Sequence, residues 1–347
     1  MAATTIYGYD SLKSGTSLTD LTKGRWTSVG SGSNLTLQSG QGRFGGQSLQ
    51  HFSGGGPNAS YIQRSGIGNR ATLCLHLPVR FDAASTSTMA AIATFQDGAT
   101  SQIVLGQNAG GQLEIRRGTD SGAVLGTSSF IPSIGVYYIL ELKVTFNGST
   151  GIIELRNSGT SIIGPTTGLN TISTANAYAN SYVLGQPDST SSRSLKIQYE
   201  HVCCLDDFVG DKRFYTNLAT GCPTAVWTPN ASTNLSRVQE TQEDGDTSYV
   251  SSSNPGDIDY YSYPALPTGT KNVFAVITSA WARKDDAGAR QVRTKIKQGS
   301  TVVNGATVNV STSYAEQYDI AYVDPVSGIA FVKSDVDSLV TGFEMVA

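Results

Sequence analysis

Apolar and polar residues alternate along most of this chain with the two-residue period of β-strands. The clearest stretch is "YYILELKVTFNGSTGIIELRNSGTSII" (137–163). There "ILELKVTF" alternates apolar with outward-facing positions, "NGST" supplies a turn and "GIIELRN" returns as the partner strand. Asn147-Gly148 marks a hairpin, because both residues tolerate a positive φ. A second turn at "NSGT" (157–160) leads into "SIIG". Similar runs occur at "SLQHF" (48–52), "ATLCLHLPVRF" (71–81), "MAAIATFQ" (89–96), "SQIVLGQ" (101–107) and "GQLEIRRG" (111–118). Short strands separated by Gly, Asn and Ser turns predict a sandwich or barrel. Helix is nearly absent, with one or two turns expected in "SLTDLTKG" (17–24).

The pattern changes in "LDDFVGDKRFYTNLATGCPTAVWTPNASTN" (205–234), which runs from a strand into a Thr-Pro-Asn-rich connector. A fresh set of strands follows: "TKNVFAVITSAWARK" (270–284), "ARQVRTKIKQG" (289–299), "STVVNGATVNV" (300–310), "QYDIAYVDP" (317–325) and "DSLVTGFEMVA" (337–347). Val292, Thr294 and Ile296 face one way and Arg293, Lys295 and Lys297 the other, as on a half-exposed antiparallel strand. The expected division is a domain over 1–215, a linker over 216–232 and a second domain over 233–347.

At 347 residues the chain exceeds what one hydrophobic core usually supports, which agrees with two domains. Charged residues make up 15%, below the roughly 25% of ordinary soluble domains. The net charge of -3 and the scattered Lys and Arg argue against nucleic acid, which needs a basic face to neutralise phosphates. No apolar run has the length needed to span a bilayer, so no membrane partner is expected. "MAATTIYGYDSLKSG" lacks a basic segment followed by an apolar one, so a chain made and folded in the cytosol is expected. The four cysteines, Cys74, Cys203, Cys204 and Cys222, form no CxxC pair and no zinc spacing. Buried free thiols are expected, with a bridge from Cys203 or Cys204 to Cys222 as the rival.

The densest chemistry lies in "VQETQEDGDTSYVSSSNPGDIDYY" (238–261), with six carboxylates among turn formers. "EDGDTSYV" reads as an Asp-Gly turn and a strand, "SSSNPGD" as a loop, and "IDYYSYPAL" as the partner strand. Asp244, Asp246, Asp257 and Asp259 are hard oxygen donors, but the EF-hand frame is missing. Tyrosine, sixteen in all, combines apolar area with a hydroxyl and suits protein interfaces and sugar platforms. Tyr260, Tyr261 and Tyr263 are the expected interface or glycan-contacting group.

Several segments together resemble a known family. "GRFGGQSL" (42–49), "ELKVTFNGSTGIIELRNSGT" (141–160) and "CLDDFVGD" (204–211) resemble the entry strand, central hairpin and closing strand of laminin-G-like, concanavalin-A-like jelly-roll domains. Asn157-Ser158-Gly159 departs from the family's usual Asn-Gly at that hairpin. The second half, with "EDGDTSYV", "AWARKDDAGARQVRTKIKQGST" and "IAYVDPVSGIAFVKSDVDSLVTGFEMV", resembles tailed-bacteriophage virion structural proteins. Phe331 stands where these commonly place Trp. The resemblance implies an all-β chain: an N-terminal concanavalin-A-like (laminin-G-like) jelly-roll sandwich, then a smaller C-terminal β-sandwich. It further implies a non-enzymatic virion protein, made in the host cytoplasm and assembled as a homo-oligomer against other virion subunits, in the tail or as a capsid decoration protein. A lectin-like module recognising host surface glycan is the alternative.

Catalytic signatures are sparse. Glucanases of this fold class carry an "E-x-D-x-E" strand, whereas here Glu141 is followed by Lys143, Glu154 by Arg156 and Glu114 by Arg116. Each Glu is expected on a solvated strand face, and a glycoside hydrolase ranks last. His51, His76 and His201 lie in apolar strands and are expected as hydrogen-bonded core-edge residues. "GGG" at 54–56 precedes Pro57 rather than a helix, so it is no phosphate loop. No cofactor is expected. If calcium binds, its candidate ligands are Asp206 and Asp207 at the closing strand and Asp244 and Asp246 in the acidic stretch.

Overall fold

A computed structural model describes residues 5–10, 12, 17–22, 25–30, 34–53, 59–86, 88–187, 193–240, 244–270 and 272–347. The "GGG" at 54–56 lies outside them. The chain divides into two compact units, Met1–Phe214 and Tyr215–Ala347. Both are built of antiparallel strands, and the protein is all-β, a jelly-roll sandwich followed by a smaller sandwich.

The first unit packs two sheets face to face. Along the larger one run Thr160–Leu169, Gly151–Asn157, Tyr137–Thr145, Thr72–Ala83, Lys196–Tyr199, Ser48–Phe52 and Leu35–Gln38. Val202–Leu205 joins it beside Thr72–Ala83 and carries Ile6–Asp10 on its other edge. The seven-stranded sheet runs Val124–Thr127, Leu113–Arg117, Thr100–Gln107, Ala90–Asp97, Ala179–Gln186, Ser60–Arg70 and Ser28–Val29. Alternation sends Leu73, Leu75, Leu77, Val79 and Phe81 from one sheet against Ile62, Phe95, Ile103, Leu105 and Leu184 from the other, all fully buried in one core. Burying each such side chain contributes about 1.5–3 kcal/mol. Asp10, a buried acid at the core's edge, accepts from Trp26 Nε1 at 2.6 Å and from the Leu12 amide at 2.8 Å.

The central hairpin forms, but its turns differ from expectation. Asn147 works through its side chain, whose Oδ1 accepts from the Ser149 and Thr150 amides at 2.9 and 3.0 Å. The positive-φ pair sits instead at the next turn, Ser158 (φ 50°) and Gly159 (φ 85°). There the twist of a two-residue turn matches that of its strands.

The second unit has a sheet running Gly221–Thr224, Ile258–Ser262, Val340–Met345, Gln291–Gln298 and Thr301–Asn304, with Val308–Asn309 also pairing with Gln291–Gln298. Val276–Ala282 pairs with Ala315–Ala321, and Thr228–Pro229 with Val250–Ser251. Two small clusters fill it, Val292, Val310 and Met345, and Ile296, Phe331 and Leu339. Two sequence expectations change here. The stretch 216–232 is not a plain linker, since Gly221–Thr224 and Thr228–Pro229 are strands of this unit. The acidic stretch is not one hairpin, because Val250–Ser251 and Ile258–Ser262 each pair elsewhere. Asp259 explains this arrangement. Its buried carboxylate accepts from the Val226 and Trp227 amides, Asn234 Nδ2 and the Tyr261 hydroxyl, tying the 226–234 segment to the Ile258–Ser262 strand.

Candidate functional site

The outer face of the seven-stranded sheet carries a cleft of about 350 Å³. Its floor follows from alternation. Ile62, Phe95, Ile103, Tyr182 and Leu184 point into the core, so Tyr61, Gln63, Thr94, Gln96, Val104 and Val183 point out. Register then aligns them across three strands, with Val183 opposite both Gln63 and Thr94. Gln63 Nε2 donates to Gln96 Oε1 at 2.9 Å over the central strand, while Ser28 Oγ donates to Gln63 Oε1 at 3.1 Å. Thr94 is fully buried in the floor, and its hydroxyl has no hydrogen-bond partner in the protein. An unmet polar group there is costly unless water or a ligand meets it.

Tyr61 forms one wall. A Cβ on Gly30 would lie 2.6 Å from the Tyr61 ring, so only glycine lets the ring lie this close to the backbone. Asp120 closes the other end from the turn after Leu113–Arg117. Its carboxylate is paired with the Arg193 guanidinium and accepts from Gln186 Nε2 at 3.1 Å. Arg193 Nε donates to Met89 O at 3.0 Å, and burial pulls its pKa below the ordinary arginine value. Behind them Arg116 pairs with Glu114 and donates from Nη1 to Asp120 O at 2.6 Å, and Glu114 also accepts from Asn108 Nδ2 at 3.1 Å. Among the described residues the lining is therefore amide, hydroxyl, short aliphatic and the Tyr61 ring, with the Asp120 carboxylate neutralised. Such a surface binds by hydrogen bonds and ring contact.

The expected site residues lie elsewhere. Asp206 Oδ1 accepts from the Thr5 amide at 2.9 Å, and Asp207 pairs with Lys143 Nζ at 2.7 Å. Asp244 accepts from the Ser248 amide and hydroxyl, and Asp246 from Arg283 and the Tyr314 hydroxyl. Each carboxylate proposed for calcium thus has a protein donor, and among the described residues no three His, Cys, Asp or Glu come together to hold a metal. Tyr260 and Tyr261 are 8% exposed rather than displayed. Tyr261 donates to Asp259 Oδ2 at 2.8 Å, and Tyr263 shares a 2.6 Å hydrogen bond with Thr341 Oγ1. Their rings serve the second unit's sheet.

The larger sheet's outer face corrects another expectation. Glu141 is fully buried under the 207–214 segment, and its Oε1 accepts from the Val209 and Gly210 amides at 2.9 Å each. Burial works to raise its pKa, but His76 and these two amides outweigh it and hold the carboxyl below its ordinary value. Glu114 is buried too. Charge alternation within a strand therefore did not signal solvent here. His51 accepts from the Gln186 amide at 3.2 Å and His201 from the Phe214 amide at 3.2 Å, whereas neither ring nitrogen of His76 finds a hydrogen-bond partner. All four cysteines are free.

No protein-family model matches the sequence, and no curated protein does so either. Solved structures with a similar fold include a cellulose-induced protein, Cip1, at 15% identity over 59% of this chain and 99% of its own, TM-score 0.44. Others are the catalytic domain of a GH131 beta-glucanase from Podospora anserina, at 15% identity over 59% and 98%, TM-score 0.40, and an alginate lyase from a Chlorella virus, at 11% over 50% and 89%, TM-score 0.35. The expectation of a chain without enzymatic activity is withdrawn: a beta-glucanase catalytic domain and an alginate lyase are among these structures. Nothing in these comparisons points to a bacteriophage virion protein.

Proposed function

We propose that this protein binds a polysaccharide in the cleft on the seven-stranded sheet. The observation that carries the reading is the lining itself: the Gln63 and Gln96 amides and the Tyr61 ring converge on one cleft of ligand size. Each amide offers both donors and acceptors, which matches the paired donor and acceptor character of sugar hydroxyls. A tyrosine ring adds apolar area for the C–H faces of a pyranose. The test is affinity electrophoresis of the full chain through gels holding soluble glucans, mannans, xylans or uronans, with reducing ends and unsaturated products assayed in parallel. Retardation by at least one polysaccharide, weakened about tenfold by Tyr61→Ala, is the expected result. Unretarded migration through all of them overturns it.

A second reading, assembly with further copies of the chain, is favoured by one turn in the second unit. Val326 and Ile329 are 61% and 66% exposed there, on a loop fixed by Asp324 Oδ1, which accepts from the Val326 and Ser327 amides. The mass of the full chain in solution by light scattering, compared with that of Ile329→Asp, tests it. An oligomer that the substitution dissociates is expected, and a monomer at all concentrations removes the reading.

A further inference from the structure

The charges around the cleft narrow the ligand's chemical class. We infer that the cleft selects an uncharged glycan chain and discriminates against polyuronates and sulfated chains; this rests on the cleft reading above. No Lys or Arg lines the cleft among the described residues. The two arginines behind it are each engaged by a carboxylate, Arg193 by Asp120 and Arg116 by Glu114. Arg193 is also held by its donation to Met89 O, and its side chain is only 3% exposed. Neither guanidinium can swing out without leaving a buried carboxylate alone, which is strongly unfavourable.

A polyanionic chain gains its affinity from cations that meet its carboxylates or sulfates, ideally as paired N–H donors from arginine. Here it would meet the Asp120–Arg193 pair, already neutralised, at one end of the cleft and uncharged side chains along the rest. Each anionic group entering would lose water and find no countercharge. A neutral chain has no such loss. Its hydroxyls exchange water for the Gln63 and Gln96 amides. Selection therefore works by the absence of a free cation, a form of discrimination built against the wrong ligand.

Titration calorimetry of the full chain with matched ligands tests the inference. The probes are cello-, laminari- and mannohexaose, each paired with the hexamer of the same linkage oxidised to the uronate at C6. At low salt the neutral member of at least one pair is expected to bind about tenfold or more tightly than its uronate, with little dependence on sodium chloride. Ser101→Arg, which places an unpaired cation on a partly exposed cleft position, is expected to raise uronate affinity about tenfold at low salt and to lose that gain at high salt. Uronates that bind the unmodified chain as tightly as their neutral partners overturn the inference while leaving the cleft reading intact. Absence of heat from every ligand at millimolar concentration overturns the cleft reading itself, and the inference with it.

Discussion

Arg193 and Asp120 form a buried ion pair at the end of the cleft, and that pair sets the cleft's electrostatic character. The guanidinium side chain is 3% exposed and the carboxylate 9%. Two buried opposite charges stabilise each other as a pair, and removing one leaves the other without its countercharge.

Asp120→Ala is therefore expected to lower stability by about 3–5 kcal/mol, and the double variant Asp120→Ala/Arg193→Met to recover most of that loss. Urea unfolding of the single and double variants measures it. A single variant within about 1 kcal/mol of the parent would show the pair to be solvated in solution.

The contact of Gly30 with Tyr61 yields a prediction about binding from a residue that touches no ligand. A methyl at position 30 would lie 2.6 Å from the ring, so Gly30→Ala must move the ring. Tyr61→Ala and Gly30→Ala are both expected to lower glycan affinity about tenfold, roughly 1.4 kcal/mol. Unchanged affinity in both variants would remove the ring from the binding surface.

Histidine 51 makes stability depend on pH. Burial lowers its pKa to about 3, against about 6.5 when unfolded. Below the unfolded value the unfolded chain takes up a proton that the folded one refuses. The His51 contribution is thus fully present above about pH 6.5 and is lost as pH falls towards 3, at up to about 1.4 kcal/mol per pH unit. Urea midpoints of parent and His51→Gln between pH 7 and pH 4 should converge on acidification, on the order of the shift just given. Parallel curves would mean that His51 takes up its proton as readily in the folded state as in the unfolded one.

Thiol reactivity follows from burial. Cys74, Cys203 and Cys204 are buried, which raises their pKa values, whereas Cys222 is partly exposed. An aromatic disulfide reagent is expected to label Cys222 alone in the folded protein and all four cysteines in denaturant. Fast labelling of Cys203 or Cys204 in the folded state would show that their strand opens readily.

The two-residue alternation in 72–83, 90–107 and 137–157 made the sandwich legible, because large aliphatic residues mark the inward positions there. The cleft was less legible, for physical reasons. One of its strands, Ser60–Arg70, has few apolar residues, and Gly66 and Gly68 interrupt it. Short inward marks, Ile62 between Tyr61 and Gln63, and Tyr182 and Leu184 around Val183, were the available signal. Its chemistry resides in neutral Gln and Thr side chains, which a search for paired carboxylates, histidines or nucleophiles passes over. They converge only through the register that sets Val183 beside Gln63 and Thr94, residues distant in sequence. The tyrosines at 260–263 failed as surface candidates because Asp259 and Thr341 hold Tyr261 and Tyr263 within their own sheet. Composition alone does not distinguish a displayed tyrosine from an anchored one.

Hydrogen–deuterium exchange of the full chain with and without a binding neutral hexasaccharide tests the central claim most directly. Added protection in 60–65, 94–104 and 181–187, with none in 244–263, is the expected result. Protection confined to the acidic and tyrosine-rich stretch, or to the outer face of the larger sheet, would contradict the assignment of the cleft as the binding site.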